Sequence, residues 1–119
     1  MHVPYNVRRQ VQWLMSARAM QCRAAGAVVS GYSRDTKGIL ALDFPCFSYG
    51  PYAQDQAPRG KVIDYRVPIE VDGVLVNDGD MLIGDIDGVC VVPRRIEEEV
   101  FTRALEKARG ERIVLKKIQ

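Results

Sequence analysis

Between Val71 and Val92 the sequence alternates short apolar runs with aspartate–glycine turns, and that spacing confines the segment to β-hairpins. Val71-Asp72-Gly73-Val74 supplies the positive φ angles of a tight turn, because Asp and Gly tolerate them where most residues do not. Asn77-Asp78-Gly79-Asp80 marks a second turn. Met81-Leu82-Ile83 and Val89-Cys90-Val91-Val92 are expected to be buried strands on either side of Gly84-Asp85-Ile86-Asp87-Gly88. After Pro93 the period changes. Ile96, Val100, Phe101, Ala104, Leu105 and Ala108 fall on one face of a helix expected over Arg95 to Arg109. Glu97, Glu98 and Glu99 in its first turn and Lys107 and Arg109 in its last suit the helix dipole. Gly110 is expected to stop this helix, with Ile113-Val114-Leu115 as a terminal strand or an extension.

Upstream, Val7, Val11, Leu14, Met15, Ala19 and Cys22 recur at helical spacing and predict an amphipathic helix from Asn6 to Ala24. Ala27-Val28-Val29 reads as a short buried strand and Ser30 to Asp35 as a loop. A short helix is expected over Thr36 to Leu42, capped by Asp35 or Ser33. Cys46-Phe47-Ser48-Tyr49 predicts the next strand, and Gly50 to Gly60 is the longest irregular segment. From Lys61 the pattern is again β, through Val62, Tyr65, Val67, Ile69 and Val71. This order predicts a mixed α/β fold with an antiparallel-rich sheet. A length of 119 residues is enough for one domain, 1–119, and too short for two of ordinary size.

Composition removes several function classes. A net charge of +2, with its basic residues scattered, gives no concentrated face for nucleic acid. Cys22, Cys46 and Cys90 lie far apart with no CxxC spacing, so neither a zinc site nor a redox pair is indicated. They are expected to be free, small, buried hydrophobes, as in a reducing cytoplasm. No apolar stretch is long enough to span a membrane, and no signal-peptide core is present, so a cytoplasmic location is expected. His2 is the single histidine and sits at the terminus, which rules out a His-based triad. Trp13 is expected to pack a helix rather than stack a ligand.

Two clusters remain that can carry chemistry. In Gly31-Tyr32-Ser33-Arg34-Asp35-Thr36 a strand gives way to a helix, and side chains at such a junction face an open crevice. An arginine there can fork onto a carboxylate or a developing enolate, and an aspartate offers hard oxygen to magnesium or manganese. Neighbours in a regular strand point oppositely, so the pair works together only if the chain has left the strand by then. The plainer alternative is a capping aspartate beside a surface arginine. The second cluster, Gly79-Asp80 through Pro93, is aspartate-rich but lacks the EF-hand pattern, and turn chemistry accounts for it.

Taken in order, Val28-Val29-Ser30-Gly31-Tyr32-Ser33-Arg34-Asp35-Thr36, Leu42-Asp43-Phe44-Pro45-Cys46-Phe47 and Gly79-Asp80 through Pro93 resemble the RraA-like superfamily. That group includes regulators of ribonuclease E activity and class II 4-hydroxy-4-methyl-2-oxoglutarate aldolases. The resemblance covers Ala25 to Glu111. It implies a β/β/α sandwich of the swivelling type, assembled as homo-oligomers (trimers or hexamers). It also implies a metal-dependent lyase acting on a small pyruvyl-containing acid, by aldol cleavage or oxaloacetate decarboxylation. Carried over, Asp35 holds Mg²⁺ or Mn²⁺, Arg34 binds substrate and stabilises the enolate, and Gly31 contributes to substrate binding. Active relatives also place an acidic residue one helix and one strand earlier. Here that count lands at Trp13, and no Asp or Glu occurs from Met1 to Arg34. This departure supports an alternative, a non-catalytic regulatory protein resembling the regulator of ribonuclease E activity.

Overall fold

The computed structural model describes residues 9–55 and 60–118. The chain divides into two compact units, Met1–Leu75 and Val76–Gln119, and the fold is mixed α/β.

The first unit is a parallel ladder with two crossover helices. Strand β1 (Arg9–Val11) leads through helix α1 (Trp13–Gln21) to β2 (Ala27–Val28) and β3 (Gly31–Ser33). Helix α2 (Thr36–Ala41) then returns the chain to β4 (Cys46–Phe47). β3 pairs parallel to β1, and β2 pairs parallel to β4. Backbone bonds carry the second ladder onward: Val29 N–H donates to Phe47 O, Tyr49 N–H to Gly31 O, and Ser33 N–H to Gly50 O. The segment 27–33 is therefore flanked on both sides, and its carboxyl end opens where both neighbours also end. In parallel sheets that edge is where ligands bind.

The helix expected from Asn6 begins at Trp13, because Arg9 to Val11 pair with β3 instead. Residues 6–8 of that expectation lie outside the described residues. Val11 still serves the core, at 6% exposure, but as a strand residue. The periodicity crossed a strand–helix junction, so its phase was wrong for α1. Leu14 and Met15 are exposed, and the buried position is Ser16, whose hydroxyl donates to Gln12 O at 3.1 Å. Ile39 of α2 and Phe44 complete the buried apolar set of this unit. Helices α1 and α2 meet closely at Gly38, where a Cβ would fall 2.6 Å from Trp13 Cγ. Only glycine allows that approach.

Residues 61–68 form no strand, and β5 (Ile69–Val71) pairs with β6 (Val74–Val76). Asp72 and Gly73 between them take positive φ, 50° and 81°, as a two-residue hairpin turn requires.

In the second unit, β7 (Met81–Asp85) pairs antiparallel with β8 (Gly88–Val92). Asp85 accepts a hydrogen bond from Asp87 N–H at 2.9 Å, which closes the turn at Ile86-Asp87. β7 is exposed along its length rather than buried. β8 alternates between exposed and half-buried positions from Gly88 to Val91, which leaves Cys90 exposed, and only its last residue, Val92, is buried. Cys22 is exposed as well, since it lies just past the end of α1, so of the free cysteines only Cys46 is partly covered. Burial pushes the Cys46 thiol pKa up, which keeps it protonated and unreactive near neutrality.

A 3₁₀ turn (Arg94–Ile96) opens helix α3 (Glu97–Ile118). The helix runs through Gly110 instead of stopping there. A helical glycine costs only about 1 kcal/mol relative to alanine, and good helix formers follow it. The Lys107–Glu111 pair, 3.9 Å apart, spans the glycine one turn along.

Asp80 fastens the start of this unit. Its carboxylate accepts from Asn77 N–H at 2.9 Å, Asn77 Nδ2–H at 3.3 Å and Arg94 N–H at 3.0 Å. The Asn77 backbone bond first, and the Arg94 bond next, hold its carboxyl below the usual carboxylate range. A carboxyl whose folded pKa is depressed stabilises the fold above its unfolded pKa and loses that contribution as pH falls through the folded value. Thermal melts between neutral pH and pH ~3 are expected to show a steeper acid decline for wild type than for Asp80→Ala, beginning below about pH 4. Parallel declines in the two proteins would refute this role.

Candidate functional site

The β3–α2 junction and the segment after β4 form the two walls of an open cleft of about 400 Å³. Ser33 to Thr36 supply one wall, and Pro51 to Ala53 the other. A volume of this order suits a small ligand. The ladder itself sets the walls: Ser33 N–H donates to Gly50 O, and Tyr52 N–H donates back to Ser33 O. Tyr52 is braced from behind by Tyr32 at 5.2 Å between ring centroids, and Tyr32 in turn meets Tyr49 edge-on at 5.8 Å.

The chain leaves the strand at Ser33. Arg34 N–H donates to Val11 O at 2.9 Å, tying the junction to the end of β1. Asp35 then turns into the left-handed region, at φ 60° and ψ 37°. Aspartate is among the few non-glycine residues that tolerate this conformation, and such backbone outliers concentrate at functional sites. The turn abolishes strand alternation. Arg34 and Asp35, which would diverge in a strand, both line the cleft, with Arg34 Nε 3.8 Å from Asp35 Oδ2. Asp35 is the N-cap residue of α2 by position, yet its carboxylate makes no capping hydrogen bond. Ser33 does not cap either; its hydroxyl contacts Gly50 O at 3.3 Å and the Thr36 hydroxyl at 3.4 Å.

Gly31 sits elsewhere. It is buried inside β3, its N–H donates to Val29 O and its carbonyl accepts from Tyr49 N–H, and it is not on the cleft wall. A local turn takes its N–H and the neighbouring strand its carbonyl, so the structure does not bring it together with Arg34 and Asp35 on the cleft wall.

Asp55 was not anticipated. Its carboxylate lies 3.0 Å from Arg34 Nη1 and accepts from Gln12 Nε2 at 3.4 Å. The sequence signal was the polar loop from Gly50 to Gly60, which flagged the region without selecting a residue. Arg34 is one quarter exposed, whereas Asp35 and Asp55 are each about half exposed. Among the described residues, Arg34 Nε is a buried donor with no hydrogen-bond partner. Such a donor on a charged group favours an incoming acceptor.

The donor set fits one kind of cation. Among the described residues no three His, Cys, Asp or Glu side chains converge as a metal cage. A single carboxylate on an open cleft, uncommitted to capping, matches the way magnesium is held, through one or two carboxylates with several waters retained. Among the described residues no helix is long and apolar enough to cross a membrane.

Comparison with known proteins agrees with this architecture. A candidate 4-hydroxy-4-methyl-2-oxoglutarate aldolase of Halalkalibacterium halodurans is 40% identical over 83 residues, which is 70% of this chain and 39% of that protein. A crystal structure of an uncharacterised protein from Pseudomonas syringae superposes with a TM-score of 0.88 at 27% identity, over 95% of this chain and 56% of that one. Streptomyces coelicolor RraAS2, described as an unusual member of the RNase ES inhibitor RraA family, gives a TM-score of 0.74 at 25% identity, over 91% of this chain and 55% of that one. The chain thus spans 39% to 56% of the length of these relatives. The sequence profile described as RraA-like, Aldolase/RraA, matches residues 5–91, and with these likenesses it shows that the chain belongs to the RraA-like family.

Proposed function

We propose that this chain acts as a metal-dependent lyase on a small pyruvyl-containing acid, by aldol cleavage or by decarboxylation of oxaloacetate. The observation that supports it is the shared exposure of Arg34 and Asp35 on one cleft wall. Both reactions break a carbon–carbon bond beside a ketone, and the electron pair moves to the ketone oxygen as an enolate before a proton returns to carbon. The Arg34 guanidinium stabilises that negative charge and binds the adjacent carboxylate. Asp35 is proposed to hold Mg²⁺ or Mn²⁺, which when bound supplies Lewis acidity to the same oxygen. Tyr52 lines the wall facing Arg34 and Asp35.

The assembly is proposed to be a homo-oligomer working in the cytoplasm. Leu82, Ile83 and the fully exposed Ile86 of the β7–β8 hairpin are large apolar side chains of the kind that association covers.

In the test, the purified chain is incubated with oxaloacetate and magnesium or manganese, and pyruvate is followed by a coupled dehydrogenase. Metal-dependent release is expected, falling about a hundredfold or more in Asp35→Asn. Asparagine keeps the left-handed backbone accessible, so folding is preserved. Absent or metal-independent turnover in well-folded protein would overturn the lyase assignment. It would favour the alternative, a regulatory protein that binds a ribonuclease, as the description of RraAS2 suggests. The absence of any acidic residue from Met1 to Arg34 is the observation on that side.

A further inference from the structure

We infer that Asp55 is the positioning residue for Arg34, fixing which edge of the guanidinium is presented to an anionic ligand; this rests on the lyase assignment for the ligand's identity. Two carboxylates flank Arg34 at different distances. Asp55 Oδ2 stands 3.0 Å from Nη1, within charge-assisted hydrogen-bonding range, whereas Asp35 Oδ2 stands 3.8 Å from Nε, beyond it. Arg34 is therefore held by the carboxylate distant in sequence and not by its neighbour. Gln12 donates to the other oxygen of Asp55 at 3.4 Å, so the tether runs from the β1–α1 junction through Asp55 to Arg34.

The consequence follows from guanidinium geometry. Nη1 lies on the Cδ side of the group, while Nε and Nη2 share the opposite edge. With Nη1 engaged by Asp55, the Nε–Nη2 edge is the one left to fork onto a planar carboxylate. The structure marks that edge independently, because Nε is buried and, with Asp35 Oδ2 at 3.8 Å, has no hydrogen-bond partner among the described residues. An arginine side chain has many rotamers, and the Asp55 bond removes much of that freedom before a ligand arrives. The same bond leaves Asp35 available for a cation.

The test has a built-in sign. A carboxylate that is merely a nearby negative charge repels an anion, so neutralising it tightens anion binding. A carboxylate that positions the arginine does the reverse. Oxalate, a planar dianion shaped like pyruvate enolate, is titrated calorimetrically into the whole chain with magnesium present. Alongside, the Arg34 Nε–H signal is followed by ¹⁵N NMR without metal and identified by its loss in Arg34→Lys. Asp55→Asn is expected to weaken oxalate binding about tenfold and to shift or broaden the Nε–H signal. Asp55→Glu should recover much of both. The milder Gln12→Ala should move both the same way by a smaller amount, and it keeps the test decisive if Asp55→Asn does not fold. Unchanged or tighter oxalate binding with an unmoved Nε–H signal would overturn the assignment. Failure of wild type to release pyruvate would remove only the lyase assignment, since the NMR arm decides the role of Asp55 without turnover.

Discussion

Replacing Arg34 with lysine is expected to lower kcat/KM for metal-dependent pyruvate release at least a hundredfold, although the positive charge survives. The reason is geometric. Lysine brings a point charge on a flexible stem, whereas the guanidinium brings a rigid fork with Nη1 tied to Asp55 and the Nε–Nη2 edge proposed for the ligand. Losing one well-placed donor to a developing oxyanion costs about 10²–10³ in rate. The lysine ammonium is also left to pair with Asp55 or Asp35 and to withdraw from the cleft. Coupled assays on folded protein, with the melting temperature as control, check the outcome. A decrease of threefold or less would show that charge alone suffices and that the fork has no role.

The second large effect concerns stability, and its sign depends on one partner. Gly38→Val is expected to destabilise the protein by about 3 kcal/mol or more, from overpacking plus the helix cost of a β-branched residue. The obstacle is not the movable tip of a side chain. A Cβ at Gly38 would meet Trp13 at Cγ, Cδ1 and Cβ, all within 3.1 Å, so the indole must leave or the helices must separate. Gly38→Ala isolates the contact. In wild type the clash outweighs the gain of about 1 kcal/mol that alanine brings to a helix. In a Trp13→Ala background the same change is expected to stabilise by about that amount. A ΔΔG of one sign in both backgrounds would show that the α1–α2 contact is not what glycine permits.

What the sequence revealed follows the distance over which the causes act. The hairpin turn at Asp72-Gly73 was legible because its cause is local, two residues able to take positive φ. The Arg34-Asp35 pair was legible for the same reason, since a strand-to-helix junction brings adjacent residues onto one surface. The helix predicted from Asn6 failed where the cause was remote. Arg9 to Val11 are a strand because β3 runs beside them, and no window around Val11 contains β3. Gly110 failed differently: its punctuation was outweighed by the helix formers that follow it and by the Lys107–Glu111 pair. Asp55 was invisible for the first reason, because a whole crossover separates it from Arg34. Nothing in Gln54-Asp55-Gln56 singles it out until α2 has carried the chain back alongside.

Ser33 joins the opposing faces of the pocket through its own peptide groups, giving to Gly50 and receiving from Tyr52. Those faces cannot spread apart unless the sheet unzips at that rung. Breathing of the recess is thereby coupled to unravelling of the strands beneath it. Under the proposed function, discrimination among small acids would rest on the outline that this rung fixes between the two described walls.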